Sequence, residues 1–305
     1  MARYPQAMLA ACPTAWDDRE QLMEDLFRRE VRMVLEAGFN HLYVFGTGSE
    51  GYAVDTPRFT QVARAFHEET SGPGVHPMIG VIGLSTANIV ERLRIAYDIG
   101  FRTFQISLPS WGPLTDDEVL RFFVDVCGTF PDALFLNYNL PRVKRVLTGR
   151  DYARVIPEVP NLVATKTTGG GLMGAEELLR HAPELMHFMG EGNFPHGSMF
   201  GSVGLLATMG ELTPGRCREI FEAGTARDVK TLFQLQHDFV RLESDLWAAG
   251  SKAPHMDGAY DKMLTKLGMI PEFPLRLLSP YVSFGEDDYR AIRRVLDEKY
   301  ADWIR

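Results

Sequence analysis

The chain has 305 residues, 45% of them hydrophobic and 24% charged, enough for one large core or two smaller ones. Its net charge of −8 comes from 32 basic and 40 acidic residues. No basic stretch is denser than Arg142, Lys144, Arg145 and Arg150, which argues against a nucleic-acid-binding face. No run approaches the ~18 uninterrupted apolar residues of a membrane span. The N-terminal MARYPQAMLAAC lacks the apolar centre of a secretion signal. The three cysteines, Cys12, Cys127 and Cys217, share no metal or redox spacing and read as reduced thiols of a cytoplasmic protein.

In chain order, short apolar runs of strand type alternate with amphipathic stretches of helix type. Strands are expected at Met8–Cys12, His41–Phe45, Pro77–Val81, Thr103–Ser107, Ala133–Asn137, Leu162–Lys166, Met186–Met189 and Gly204–Ala207. Helices are expected between them at Asp18–Ala37, Thr56–Thr70, Thr86–Ile99, Asp116–Thr129, Asp151–Ile156, Ala175–His181, His196–Phe200 and Pro214–Ala223. Thr115 before Asp116, Asp117 and Glu118 is an N-cap with acids in the first turn. Gly38 and Gly100 follow helices as stop signals and lead into strands. Eight such units in about 220 residues fit a (β/α)8 barrel, although alternation alone also allows an open doubly wound sheet. Beyond residue 224 the strands stop. Helices expected at Ala226–Ala248, Gly258–Leu267 and Glu286–Tyr300 form a C-terminal helical extension, so the division is a barrel over 1–224 and an appendage over 225–305.

Three strand ends carry candidate chemistry. Gly46-Thr47-Gly48-Ser49-Glu50-Gly51 has the glycine spacing of a dinucleotide fingerprint, which would make the chain a nicotinamide-dependent oxidoreductase. The fingerprint needs a helix starting inside the motif. Here Thr56-Pro57 starts one later, and the next strand carries no acid for a ribose. The loop reads better as amides free to bind an anion, or as a plain glycine-rich turn. Leu162-Val163-Ala164-Thr165-Lys166 ends an apolar strand on a lysine, a residue seldom buried without purpose. Burial is expected to lower its pKa and give a nucleophilic amine able to form an imine with a carbonyl; a lysine that merely caps the rim is the competing reading. Leu134-Phe135-Leu136-Asn137-Tyr138-Asn139-Leu140-Pro141 sets a tyrosine beside it. That phenol is either a proton shuttle or a core side chain. His67-Glu68 begins like a zinc helix but lacks the second histidine, and the eight histidines form no metal-ligand pattern.

Taken together, the ordered set Gly46-Thr47-Gly48-Ser49-Glu50, Tyr138-Asn139-Leu140-Pro141 and Lys166-Thr167-Thr168, with Gly201-Ser202-Val203-Gly204-Leu205-Leu206-Ala207, resembles the dihydrodipicolinate synthase / N-acetylneuraminate lyase family over essentially the whole chain. The resemblance implies a (β/α)8 barrel, a homotetramer or dimer, and no metal or organic cofactor. It implies that Lys166 forms a Schiff base, that Tyr138 donates and accepts protons, and that Thr47 relays protons or binds substrate. It further implies that the amides of Gly48 and Ser49 hold a carboxylate, that Leu206 lines the imine pocket, and that Thr168 faces the substrate.

Departures from the family pattern bear on substrate. Gly48 removes a loop hydroxyl, which Ser49 partly replaces. Leu108-Pro109-Ser110-Trp111-Gly112-Pro113 carries neither tyrosine of the lysine-pathway enzymes, and Trp111 is expected to shape a distal pocket. Val143 stands where an arginine would hold a second carboxylate, with Arg142 one residue early. Glu191, in Gly190-Glu191-Gly192-Asn193, only partly matches an acidic pair that binds sugar hydroxyls. The expected function is a Schiff-base lyase, aldolase or dehydratase, acting on pyruvate or a 2-oxo-3-deoxy (sugar) acid. A non-catalytic 2-oxo-acid-binding barrel and a dihydrodipicolinate synthase with altered motifs are the competing readings.

Overall fold

In the computed structural model, which describes residues 3–304, eight parallel strands close into a barrel in sequential order, with β1 also paired to β8. The strands are β1 Met8–Ala11, β2 His41–Val44, β3 His76–Gly80, β4 Thr103–Ile106, β5 Leu134–Asn139, β6 Leu162–Thr167, β7 Met186–Gly190 and β8 Gly204–Ala207. The helices between and after them are α1 Glu24–Glu36, α2 Thr56–Thr70, α3 Thr86–Ile99, α4 Asp116–Cys127, α5 Gly149–Val155, α6 Gly171–His181, α7 Phe194–Phe200 and α8 Pro214–Ala226. Then come α9 Val229–Ala249, α10 Asp257–Gly268 and α11 Glu286–Lys299. The open doubly wound sheet is therefore excluded, and the (β/α)8 barrel with C-terminal helices stands.

Strands buried on both faces read as nearly continuous apolar runs, which is why they were visible in the sequence. Alternate residues point inward. Leu9, Tyr43, Met78, Leu136, Ala164, Phe188 and Leu206 form the barrel's own apolar cluster. The outward residues join the strands to a surrounding shell that also takes in Phe239 and Leu246 of α9 and Met263 and Leu264 of α10. The C-terminal helices thus share a core with the barrel.

Helix α1 begins at Glu24 rather than near Asp18. Asp17 accepts hydrogen bonds from the backbone N–H of Arg19 and Gln21, both at 2.8 Å, and a short side chain that serves the backbone in this way favours a turn over a helix. Strand β5 runs two residues further than expected, to Asn139. Tyr138 therefore lies in the ladder itself, in register with Lys166 of β6.

Candidate active site

Lys166 is the last inward-facing residue of β6 and sits at the C-terminal mouth of the barrel, where barrel enzymes carry their chemistry. It is almost fully buried. Its Nζ donates to Tyr43 Oη at 2.8 Å and lies 3.9 Å from the centre of the Tyr138 ring and 4.5 Å from that of Tyr43. Two electron-rich faces and a phenol oxygen favour the ammonium. Burial opposes the charge, but Tyr138, Tyr43 and the carboxylate of Asp261 outweigh it, and the amine is held above the ordinary lysine range. The expectation of a lowered pKa is therefore corrected: it counted desolvation alone and missed the partners. Lys166 is held as the ammonium at neutral pH.

Thr47 is buried, and its hydroxyl donates to Tyr138 Oη across 3.5 Å, the long limit of a hydrogen bond. A pocket of about 290 Å³ opens above Lys166, and Tyr43, Gly48, Tyr138, Thr168, Leu206 and Asp261 are among its walls. The sequence-predicted Lys166, Tyr138, Gly48, Thr168 and Leu206 thus come together around one space. Thr47 adjoins it from behind Tyr138, where a second, mostly apolar cavity of about 310 Å³ begins.

Three expected residues stand elsewhere. Ser49 is fully buried and its hydroxyl has no hydrogen-bond partner among the described residues; it lies outside the pocket walls and does not replace the lost loop hydroxyl there. Trp111 is 83% exposed and lies outside the walls of both cavities. Its carbonyl accepts from Lys144 Nζ at 2.7 Å, so this wall is not built by Trp111 within one chain. Glu191 is buried and already committed: its carboxylate accepts from the Thr208 hydroxyl and from the backbone N–H of Met209 at 2.9 Å. It supports the segment after β8 instead of facing the cavity.

Helix α10 supplies what the motif reading missed. Glu50 ends the glycine-rich loop fully buried, and its carboxylate collects Trp16 Nε1 at 2.9 Å, the Leu278 N–H at 2.6 Å and Lys262 Nζ at 2.5 Å. Both members of the Glu50–Lys262 ion pair are completely buried. This pair, together with Gly258, where an added Cβ would come within 2.8 Å of the Gly48 carbonyl, clamps α10 onto the loop. One residue before Lys262, Asp261 reaches over Gly48: a Cβ on Gly48 would lie 1.6 Å from Asp261 Oδ2. Glycine leaves the space that Asp261 fills; a side chain here would have to displace the carboxylate. Burial, and then Asp257 and Glu191, raise the Asp261 carboxyl to about 7, with Lys166 acting the other way. Glu243 of α9, also in the pocket wall, is raised to about 7 by burial and by Glu191.

Arg142 lies in the short 3-10 turn Pro141–Val143 after β5. It is engaged by both oxygens of Asp257, at 2.7 and 3.0 Å. Val143, at the position of the expected arginine, is buried. Among the described residues, no group of three or more His, Cys, Asp and Glu side chains could hold a metal ion, and no helix is long and apolar enough to cross a membrane.

Fold and pocket together define a (β/α)8-barrel enzyme built around a buried amine and a phenol on neighbouring strands. The chain belongs to the dihydrodipicolinate synthetase family, whose model matches residues 5–299. It is an enzyme, a class I lyase by membership. It is 24% identical over 232 residues to N-acetylneuraminate lyase 2 of Escherichia coli O6:H1, covering 76% of each chain. It is 26% identical over 238 residues to the N-acetylneuraminate lyase of Salmonella paratyphi B, covering 77% of this chain and 80% of that one. Among solved structures it is similar to YagE, a prophage protein of the dihydrodipicolinic acid synthase family from Escherichia coli K12 in complex with pyruvate, with a TM-score of 0.86 at 15% identity over 97% of this chain and 98% of the other.

Proposed function

We propose that the protein is a Schiff-base lyase in which Lys166 condenses with a 2-oxo acid, either cleaving a carbon–carbon bond to release pyruvate or expelling water from a 2-oxo-3-deoxy sugar acid. The observation that carries this is Lys166 itself: a buried amine at the barrel mouth, held against Tyr138 and Tyr43 and open to a pocket of about 290 Å³. Its Nζ, once deprotonated, attacks C2 of the 2-oxo acid, and the carbinolamine loses water to give an iminium. The iminium draws electrons from the C3–C4 bond in the aldol direction, or stabilises the carbanion at C3 that expels a hydroxyl in the dehydration direction. Tyr138 moves the protons, with Thr47 behind it. The carboxylate sits against the loop at Gly48, which reaches the pocket wall, and Leu206 and Thr168 line the imine pocket. Lys166 supplies the covalent electron sink, so the reaction calls for neither metal nor organic cofactor.

The far end of the pocket favours hydroxyl groups over a second carboxylate. Asp257 and Glu243 line it, and the nearby Arg142 is occupied by Asp257. A sugar acid therefore fits better than the substrates of dihydrodipicolinate synthase, and the names of the N-acetylneuraminate lyase relatives support that class. The pyruvate complex of YagE supports the nucleophilic half. The same reading carries a homo-oligomer, tetramer or dimer, which sedimentation tests.

Borohydride reduction with pyruvate, followed by peptide mass spectrometry, is expected to give a reduced pyruvate adduct on Lys166. Turnover on a panel of 2-oxo-3-deoxy acids then separates a lyase from a mere binder. A folded protein that yields no adduct would refute the mechanism.

A further inference from the structure

We propose that Asp261, carried over the glycine-rich loop by α10, is a substrate-contacting residue that donates a hydrogen bond from its protonated carboxyl to the carboxylate of the bound 2-oxo acid. This rests on the reading above. It goes beyond it by naming the group that stands in for the loop hydroxyl absent at Gly48, and by making substrate binding depend on a proton.

The geometry comes first. Asp261 Oδ2 occupies the volume that a side chain on Gly48 would fill, because a Cβ there would lie 1.6 Å away. Gly48 and Asp261 therefore present one composite surface to the pocket that holds Lys166. The position is fixed by the neighbouring turns of α10: Lys262 is locked to Glu50, and Gly258 sits on the Gly48 carbonyl. Among the described residues no donor satisfies the Asp261 carboxylate; the residue as a whole keeps some exposure, while its carboxyl end is packed among protein atoms. A carboxyl held over Gly48 at the pocket wall, with no protein donor on it, is placed to meet a ligand.

Its charge state decides what that ligand is. An ionised Asp261 would repel an anion on the loop, whereas a neutral one offers an O–H. The groups facing it are Lys166 of β6, Tyr43 of β2, Tyr138 of β5, Glu191 at the end of β7, Glu211 after β8, Glu243 of α9, and Asp257 and Tyr260 of α10. Four are carboxyls and one is a cation. Burial, then Asp257 and Glu191, hold Asp261 at about 7 against Lys166, and the arriving anion pushes it further toward the neutral form. Binding therefore takes up a proton above neutrality.

The test uses lactate, which keeps the carboxylate but has no ketone to condense with Lys166. Its affinity is measured by calorimetry at pH 6 and pH 8 for the full chain, Asp261→Asn and Asp261→Ala, alongside pyruvate trapping with borohydride. Asp261→Asn carries a permanent N–H donor. It should match the parent at pH 6 and bind about tenfold more tightly than the parent at pH 8, where only about one parent molecule in eleven is protonated. Asp261→Ala removes the charge and the donor together, so it should bind more weakly than Asp261→Asn at both pH values. Gly48→Ser in the Asp261→Ala background should recover part of that loss by restoring a hydroxyl. Equal affinities of the Asn and Ala variants at both pH values would mean that Asp261 acts by charge alone and would overturn the contact. If the parent forms no pyruvate adduct, the 2-oxo-acid reading falls and takes this inference with it. If the adduct forms and the two variants bind lactate alike, only the Asp261 contact falls.

Discussion

Replacing Lys262 with methionine probes the joint between the C-terminal helices and the barrel. Lys262 and Glu50 form a salt bridge at 2.5 Å with both side chains fully inaccessible. Burial lowers the Lys262 pKa and Glu50 acts against that. Removing one member of a buried pair leaves the other as an uncompensated charge, at a cost of about 3–5 kcal/mol. Glu50 would retain Trp16 Nε1 and the Leu278 N–H, which argues for the lower half of that range. A chain of this size loses about 2 °C of melting temperature per kcal/mol, so Lys262→Met should melt about 6–8 °C below the parent. The double variant Glu50→Gln, Lys262→Met should be less destabilised than the sum of the two singles, because the stranded charge is gone. Thermal melts followed by circular dichroism measure all four proteins. Because the same pair holds Asp261 over the loop, pyruvate trapping in Lys262→Met should need more pyruvate even well below its melting point. A variant that melts within 2 °C of the parent, or that shows simple additivity with Glu50→Gln, would refute the claim that this pair clamps α10 to the loop.

Other consequences are equally checkable. Gly48→Ala puts a methyl into the Asp261 carboxylate; overpacking of this kind costs about 1–3 kcal/mol, and Gly48→Ala with Asp261→Ala should regain stability relative to Gly48→Ala alone. Glu30 is fully buried on α1, and burial, then Glu211, push its carboxyl well up. A raised folded pKa means that the folded state holds a proton the unfolded state has released, so stability is highest at low pH and falls as pH rises above the carboxylate range, by up to about 1.4 kcal/mol per unit for one group. Glu30→Gln abolishes that slope, so its melting temperature relative to the parent should climb between pH 5 and pH 8; a constant difference would contradict the buried neutral carboxyl. Trp111→Ala should leave the pyruvate dependence of trapping unchanged, since the exposed indole lies outside the pocket wall, and a weakened dependence would show that Trp111 reaches the site.

What was readable in the sequence follows from how each element is stabilised. Barrel strands are apolar on both faces, so their runs stand out, and the helices between them carry caps such as Thr115 with Glu118. Lys166 and Tyr138 were legible because each closes an apolar run with a polar group, and the β5–β6 register then sets them side by side. Tyr43 was not legible: in His41-Leu42-Tyr43-Val44 a tyrosine is an ordinary strand former, and only barrel closure brings its hydroxyl to Lys166. Asp261 and Lys262 were hidden more thoroughly. Charged residues on an amphipathic helix read as a solvated face, and nothing local says that Lys262 is completely buried. The available clue was Gly48, a glycine whose missing side chain leaves room for something arriving from elsewhere in the chain. Glu191 misled for the opposite reason: a carboxylate at a strand end reads as a ligand group until its donors, Thr208 and the Met209 N–H, are seen.

The central claim is that Lys166 is the amine that takes the substrate. A crystal of the protein soaked with pyruvate tests it most directly. The account predicts continuous electron density from Lys166 Nζ to C2 of pyruvate, with the carboxylate against the loop at Gly48 and within hydrogen-bonding distance of Asp261. Pyruvate bound elsewhere, or an unmodified Lys166 still bonded to Tyr43 beside an occupied pocket, would contradict it.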